Sequence, residues 1–153
     1  MAVPARVYEL VERFDRNREA YLSNYNETQV RGDFIDPLLE ELGWDVHNRQ
    51  GQPEAYRQVI EEDKLKIGGG TKAPDYGFYV GGTRKFYLEA KQPSVDVAGD
   101  VAPAVQLRRY AWTAQLPLSI VSDFEEFAFY DCRFEPKKTD KSSTARVDHL
   151  SPS

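Results

Sequence analysis

Two aromatic-rich runs, Asp75-Tyr76-Gly77-Phe78-Tyr79-Val80 and Lys85-Phe86-Tyr87-Leu88-Glu89-Ala90, flank Gly81-Gly82-Thr83, and they constrain the fold of this 153-residue chain more than any other segment. Strand-forming residues on either side of a Gly-Gly turn predict a β-hairpin. A hairpin returns the end of its second strand to the start of its first. Asp75 and Glu89 are therefore expected to approach each other at the open end. Lys91 lies two residues past Glu89 and so shares its strand face.

The rest of the chain supplies what such a hairpin needs to be buried. Val7, Leu10, Val11, Phe14, Tyr21, Leu22 and Tyr25 recur at helical spacing after Pro4, which suits a helix start. Phe34, Ile35, Leu38, Leu39 and Leu42 form a second helical pattern, with Gly43 as its C-cap and Pro37 implying a kink. Trp44 to His47 reads as short and extended, Tyr56 to Glu62 as a strand, and Gly68-Gly69-Gly70-Thr71 as a loop. Residues 100–115 read as a helix, and Leu118–Val121 and Phe127–Tyr130 as strands. This order predicts an α/β (α+β) domain, a mixed central sheet flanked by helices. Residues 1–136 are expected to form it, and the polar, Ser/Thr-rich residues 137–153 to be a linker or tail.

Composition narrows the function classes. No run approaches the roughly 18 apolar residues of a membrane span. A single cysteine, Cys132, rules out an internal disulfide or a multi-cysteine zinc site, which fits a cytoplasmic location. With only His47 and His149, histidine-based chemistry has little to work with. The net charge is −5, unevenly spread: residues 1–63 hold 14 acidic and 7 basic side chains, residues 64–153 hold 11 and 13. A chain of this balance is expected to bind DNA weakly alone and to leave tight binding to another module.

Paired carboxylates are the groups that hold hard divalent cations, and such cations assist phosphodiester hydrolysis. A neighbouring lysine orients water or offsets growing charge. Glu-x-Lys occurs three times, at Glu62-Asp63-Lys64, Glu89-Ala90-Lys91 and Glu135-Pro136-Lys137. Pro136 disfavours a strand in the third. The first, with Asp45 upstream, is a formal rival but lacks a hairpin partner. Only Glu89 faces a Pro-Asp across a turn. The bland alternative is a surface ion pair on a polar hairpin face. Lys72, at the end of the glycine loop, is a candidate for contact with a DNA phosphate.

Pro74-Asp75 together with Glu89-Ala90-Lys91 resembles the PD-(D/E)xK nuclease superfamily. Asn26-Glu27-Thr28-Gln29-Val30-Arg31, followed by Phe34-Ile35-Asp36-Pro37-Leu38-Leu39-Glu40-Glu41-Leu42-Gly43-Trp44, resembles the N-terminal endonuclease domain of type I R subunits and type IIG restriction-modification enzymes. The resemblance covers roughly residues 20 to 130. It implies a restriction-endonuclease-like fold that cuts double-stranded DNA with Mg²⁺, or with Mn²⁺ as a substitute. Asp75, Glu89 and Lys91 would be catalytic. Asp75 and Glu89 would hold the metal, the Ala90 carbonyl would add a ligand, and Glu27 would join the shell. Gln106 and Tyr110 match a Gln-x-x-x-Tyr signature that follows the active centre in relatives. The resemblance also implies linked or associated methyltransferase, helicase or target-recognition domains. Two other readings remain: a catalytically inactive scaffold or DNA-contacting module of the same fold, and a repair or recombination nuclease on the same core. Without the resemblance, Glu27 is simply a carboxylate in a first helical turn, and Tyr110 an amphipathic core residue.

Overall fold

A computed structural model describes residues 3–67 and 70–151; Gly68 and Gly69 of the expected glycine loop lie outside the described residues. The predicted hairpin is present as β4 (Tyr76–Val80) and β5 (Thr83–Ala90), antiparallel, with Tyr76 opposite Leu88 and Val80 opposite Thr83. Gly81 and Gly82 both have positive φ, 59° and 81°. A two-residue turn that matches strand twist requires this, and glycine adopts it without steric cost.

The helical N-terminal half departs from the expected pattern in instructive ways. The periodic stretch from Val7 to Tyr25 divides into α1 (Ala5–Arg16) and α2 (Arg18–Asn24). Asn17 makes the break: its backbone N–H bonds to the Phe14 carbonyl and its side-chain amide to the Arg13 carbonyl. The second helix begins earlier than its apolar periodicity, as α3 (Glu27–Val30), because a reciprocal capping box between Asn26 and Gln29 starts it. It passes through a π turn (Arg31–Ile35) into α4 (Asp36–Glu41). Pro37 explains the irregularity: it has no N–H for the Asp33 carbonyl, which accepts from Arg13 of α1 instead. Gly43 and Trp44 close α4 by donating to the Glu40 and Leu39 carbonyls, a Schellman ending. Trp44 to His47 forms no strand, and Val46 and His47 lie in a turn.

The strand expected over Tyr56–Glu62 is a short 3₁₀ turn (Glu54–Tyr56) followed by β1 (Val59–Glu61). Part of the glycine loop pairs as a small separate hairpin, β2 (Leu65–Ile67) with β3 (Gly70–Lys72). The crossover helix α5 (Val101–Thr113) links β5 to β6 (Leu118–Ser122), and β7 (Phe127–Asp131) follows. The segment read as a polar tail carries β8 (Arg146–Leu150), an edge strand beside β7. Its mixed composition gave no alternating pattern to find. The main sheet runs β1-β4-β5-β6-β7-β8, antiparallel except for the parallel β5–β6 pair. This is the mixed, helix-flanked sheet expected from the order of elements.

Two cores cover the sheet. Alternation along β5 sends Leu88 and Ala90 to the face packed by Leu10, Phe14, Val30, Phe34, Ile35 and Leu39, and Tyr87 to the face packed by Ala104, Leu107 and Ala111 of α5. Phe34 anchors the first core, with Phe14 and Phe124 rings 5.3 and 4.9 Å away. Cys132 is buried as a small core residue, with its thiol pushed up to about 11 by burial. No helix among the described residues is long and apolar enough to cross a membrane.

One close approach ties the hairpin to the segment just past β1. Asp63, 5% exposed, takes a bidentate pair of 2.9 Å bonds from Arg84 of β5 and a 2.7 Å bond from the Tyr79 hydroxyl. A Cβ on Gly77 would lie 1.9 Å from Asp63 Oδ2, and the carboxylate cannot retreat without breaking these bonds. Gly77→Ala is therefore expected to cost about 2–4 kcal/mol by overpacking and by disturbing a buried ion pair. Urea unfolding should show a lower midpoint at unchanged slope; a midpoint equal to that of the unaltered protein would contradict the close approach.

Candidate active site

Register brings Asp75 and Glu89 together. Asp75 immediately precedes Tyr76 and Glu89 immediately follows Leu88, so pairing of Tyr76 with Leu88 sets the two carboxylates opposite each other. Asp75 is fixed at both backbone and side chain. Its carbonyl accepts from the Glu62 N–H at 2.8 Å, and its Oδ2 accepts from the Ala90 N–H at 2.8 Å. Glu89 lies in the sheet interior beside Val121 of parallel β6 and is 8% exposed. One of its oxygens, Oε2, is buried without a donor among the described residues. Burial, and next the adjacent Asp75 charge, push its carboxyl up to about 8, while Lys91 acts in the opposite sense.

Lys91 leaves the end of β5 with its N–H bonded to the Ser122 carbonyl at 2.9 Å. Its ammonium lies 3.8 Å from Glu27 Oε1, at the first turn of α3. The third flank of the site is α5. Gln106 Nε2 donates to the Tyr110 hydroxyl at 2.6 Å, and that hydroxyl is raised by burial and, to a lesser extent, by the charges of Glu89 and Asp75. Asp75 and Glu89 thus adjoin, Lys91 and Tyr110 lie close enough for charge to act between them and Glu89, and Glu27 is reached through Lys91 rather than gathered with the two carboxylates. Ala90 is fully buried, and its contact in the site is through its N–H. Lys72 is exposed on β3, in a groove it shares with Gln106 and Tyr110.

Arg31 is the residue that the sequence reading passed over. Its guanidinium reaches Asp75 Oδ1 at 3.5 Å, Glu61 at 3.8 Å and Glu62 at 3.9 Å, and lies over the Tyr76 ring. The spacing held the clue: Arg31 follows Glu27 by four residues, one helical turn along the same face. The rival carboxylates do not assemble. Asp45 accepts from the N–H groups of Arg49 and Gln50, Glu62 is largely exposed, and Asp63 is held by Arg84.

A second gathering lies beyond Arg31, where ligand-type atoms of Asp36, His47 and Glu61 fall within 4.8 Å of one another. Each already has a partner. The Tyr76 hydroxyl donates to Asp36, Arg31 faces Glu61, and Glu40 faces His47 at 3.4 Å. The Asp75–Glu89 pair differs in holding a buried oxygen that finds no donor among the described residues. Two adjacent carboxylates, one orphaned oxygen and hard-oxygen chemistry fit a divalent cation.

Residues 57–138 match the family model described as type I restriction enzyme R protein N terminus. That span includes Asp75, Glu89, Lys91, Gln106 and Tyr110 but not Glu27 or Arg31. The chain is also 45% identical over 141 residues to the type II restriction enzyme and methyltransferase RM.Eco57I of Escherichia coli. The match covers 90% of this chain and 14% of that protein, so the chain spans a small part of the length of this relative. No solved structure matches.

The raised Glu89 carboxyl makes stability depend on pH. Unfolded glutamate ionises near 4.5, whereas in the folded protein the proton is held to about 8. Between those values the unfolded state binds fewer protons, so Glu89 lowers stability progressively as pH rises and has no such effect below 4.5. Asp123, raised to about 7 by burial, acts in the same sense. Without divalent cations, Glu89→Gln should match the unaltered protein in melting temperature near pH 4.5 and exceed it increasingly toward pH 8. A constant difference across that range would show that Glu89 titrates normally.

Proposed function

Given that the chain belongs to the type I restriction enzyme R protein N-terminal family, which is a PD-(D/E)xK nuclease domain, we propose that it is the DNA-cleaving domain of a restriction-modification protein. It hydrolyses phosphodiester bonds of double-stranded DNA in the cytoplasm with Mg²⁺, or Mn²⁺ in its place. The observation that carries this reading is the Asp75–Glu89 pair, pressed together beside Lys91 with a buried Glu89 oxygen unsatisfied.

Asp75 and Glu89 would hold the cation, with the Ala90 carbonyl and Glu27 completing the ligand set. A divalent ion there supplies positive charge at the scissile phosphate and makes water a stronger nucleophile near neutral pH. The protein's own groups do the remaining work. Lys91 orients the attacking water and offsets charge growing on the phosphate. Glu27 steadies the Lys91 ammonium, and Arg31 steadies the Asp75 carboxylate. Because Gln106 donates to the Tyr110 oxygen, the Tyr110 proton is free for a substrate oxygen.

Sequence recognition belongs elsewhere in this reading. The relative's name joins a restriction enzyme to a methyltransferase, and the net charge of −5 suits a domain delivered to DNA by a linked module. The nuclease unit extends past residue 136, because Asp140 pairs with Arg108 of α5 and β8 completes the sheet beside β7.

Mg²⁺ or Mn²⁺ should raise the melting temperature of the unaltered chain, by the equivalent of about 2.7 kcal/mol at a hundredfold excess over Kd. Asp75→Ala should abolish that rise. In the full-length protein, Asp75→Ala and Lys91→Ala should each reduce plasmid cutting at least about 100-fold while leaving the fold intact. Full-rate cutting by either variant would remove the assignment.

A further inference from the structure

A groove of about 590 Å³ adjoins the candidate site, and four cations rim it: Lys72 of β3, Arg109 of α5, and Lys137 and Lys138 of the segment after β7. All four are exposed. Its lining contains no carboxylate, in a protein whose net charge is −5. The ion pairs among the described residues use other cations, among them Arg31, Arg84, Lys91 and Arg108. Gln106 and Tyr110 also line the groove. Tyr110 links this groove to the carboxylate pair, because its hydroxyl is close enough to Glu89 and Asp75 to feel their charges.

The two lysines are held in place rather than left to swing on a tail. Arg108, on α5 beside Arg109, points inward and is 2% exposed. It pairs with Asp140 at 2.7 Å, and the same Asp140 oxygen accepts the Lys137 N–H at 2.9 Å. The Tyr130 hydroxyl adds a bond to the Ser142 carbonyl. An inward-facing ion pair costs desolvation unless it is well bonded. Here it fastens the Lys137–Lys138 segment against the helix that carries Arg109 and Tyr110.

We propose that this groove is the track for the DNA sugar-phosphate backbone, with Lys72, Arg109, Lys137 and Lys138 as its phosphate contacts leading to the Asp75–Glu89 pair. The inference rests on the nuclease reading above. Local positive charge in a concave surface concentrates a polyanion even when the whole protein is acidic. The apolar floor at Val101 and Val105 suits sugar surfaces that need no hydrogen bonds. Contacts of this kind carry no sequence information, in keeping with recognition residing in another module.

The test is binding of a labelled duplex of about 20 base pairs to the 153-residue chain in EDTA, followed by anisotropy between about 20 and 200 mM KCl. Lys137→Glu combined with Lys138→Glu should weaken binding at least about tenfold at low salt and flatten the log Kd against log salt slope by about two. Arg16→Glu with Lys85→Glu makes the same change in net charge away from the groove and should stay within about twofold of the unaltered chain. The proposal is overturned if the reversed pair binds normally, if the control pair loses as much, or if the unaltered chain shows no salt-dependent association. Poly-glutamate competing as well as DNA would also overturn it, by pointing to acidic protein as the occupant. Cation-induced stabilisation separates this failure from that of the nuclease reading: retained stabilisation without groove binding sinks only the groove, and binding without stabilisation sinks only the nuclease.

Discussion

Backbone register in one hairpin holds two carboxylates against each other, and much of the surrounding structure answers that constraint. Asp75 cannot swing away from Glu89, because its Oδ2 accepts the Ala90 N–H and its carbonyl accepts the Glu62 N–H. Glu89 has little access to bulk water, being 8% exposed on a central strand between β4 and β6. Burial first, and the neighbouring Asp75 charge second, oppose ionisation, and the proton retained on Glu89 to about pH 8 is the result. A site built this way keeps Glu89 protonated near neutral pH, and a bound divalent cation would compete with that proton.

The two cores make that confinement affordable. On one face, aromatic packing around Phe34 and the cap at Asn26 set the line of α3, which places Glu27 and Arg31 over the hairpin mouth. The π turn before Pro37 belongs to the same arrangement. Arg13 fills the hydrogen bond that proline cannot make, tying α1 to the irregular stretch that follows Arg31. On the other face, α5 packs Leu107 and Ala111 into the sheet and leaves the Tyr110 hydroxyl close enough to the carboxylates to feel their charge. Helices on opposite sides of the sheet therefore meet at one end of β5.

Local signals were legible in the sequence, and nonlocal ones were not. Gly81-Gly82 with aromatic flanks specified the hairpin, and the hairpin specified the meeting of Asp75 and Glu89. The i to i+4 spacing of Gln106 and Tyr110 put them on one helix face, and the structure adds a hydrogen bond between them. Arg31 went unread because its partners Asp75, Glu61 and Glu62 come from distant segments, and helical periodicity describes only the helix's own surface. β8 escaped for a related reason. An edge strand with Val147 and Leu150 half exposed has little alternation, and its order comes from pairing with β7. The Lys137–Lys138 segment looked like linker because the residues that hold it, Arg108 and Asp140, are 32 positions apart.

The two cations beside the carboxylates are chemically different, and the difference suits their places. Arg31 spreads a planar fork over several acceptors at once: the Asp75 carbonyl, the Asp75 carboxylate and Glu61. Its donors are committed to holding position, the task for which a rigid guanidinium is suited. Lys91 carries a compact charge on a flexible stem, and among the described residues its ammonium has one ion-pair partner, the half-exposed Glu27 at 3.8 Å. Its remaining donors are available to a ligand. Exchanging the two would place a three-donor point charge where several acceptors must be fixed, and a bulky fork where a small mobile one must follow charge as it forms. The identity of each residue thus follows from the number of acceptors it must satisfy before substrate arrives.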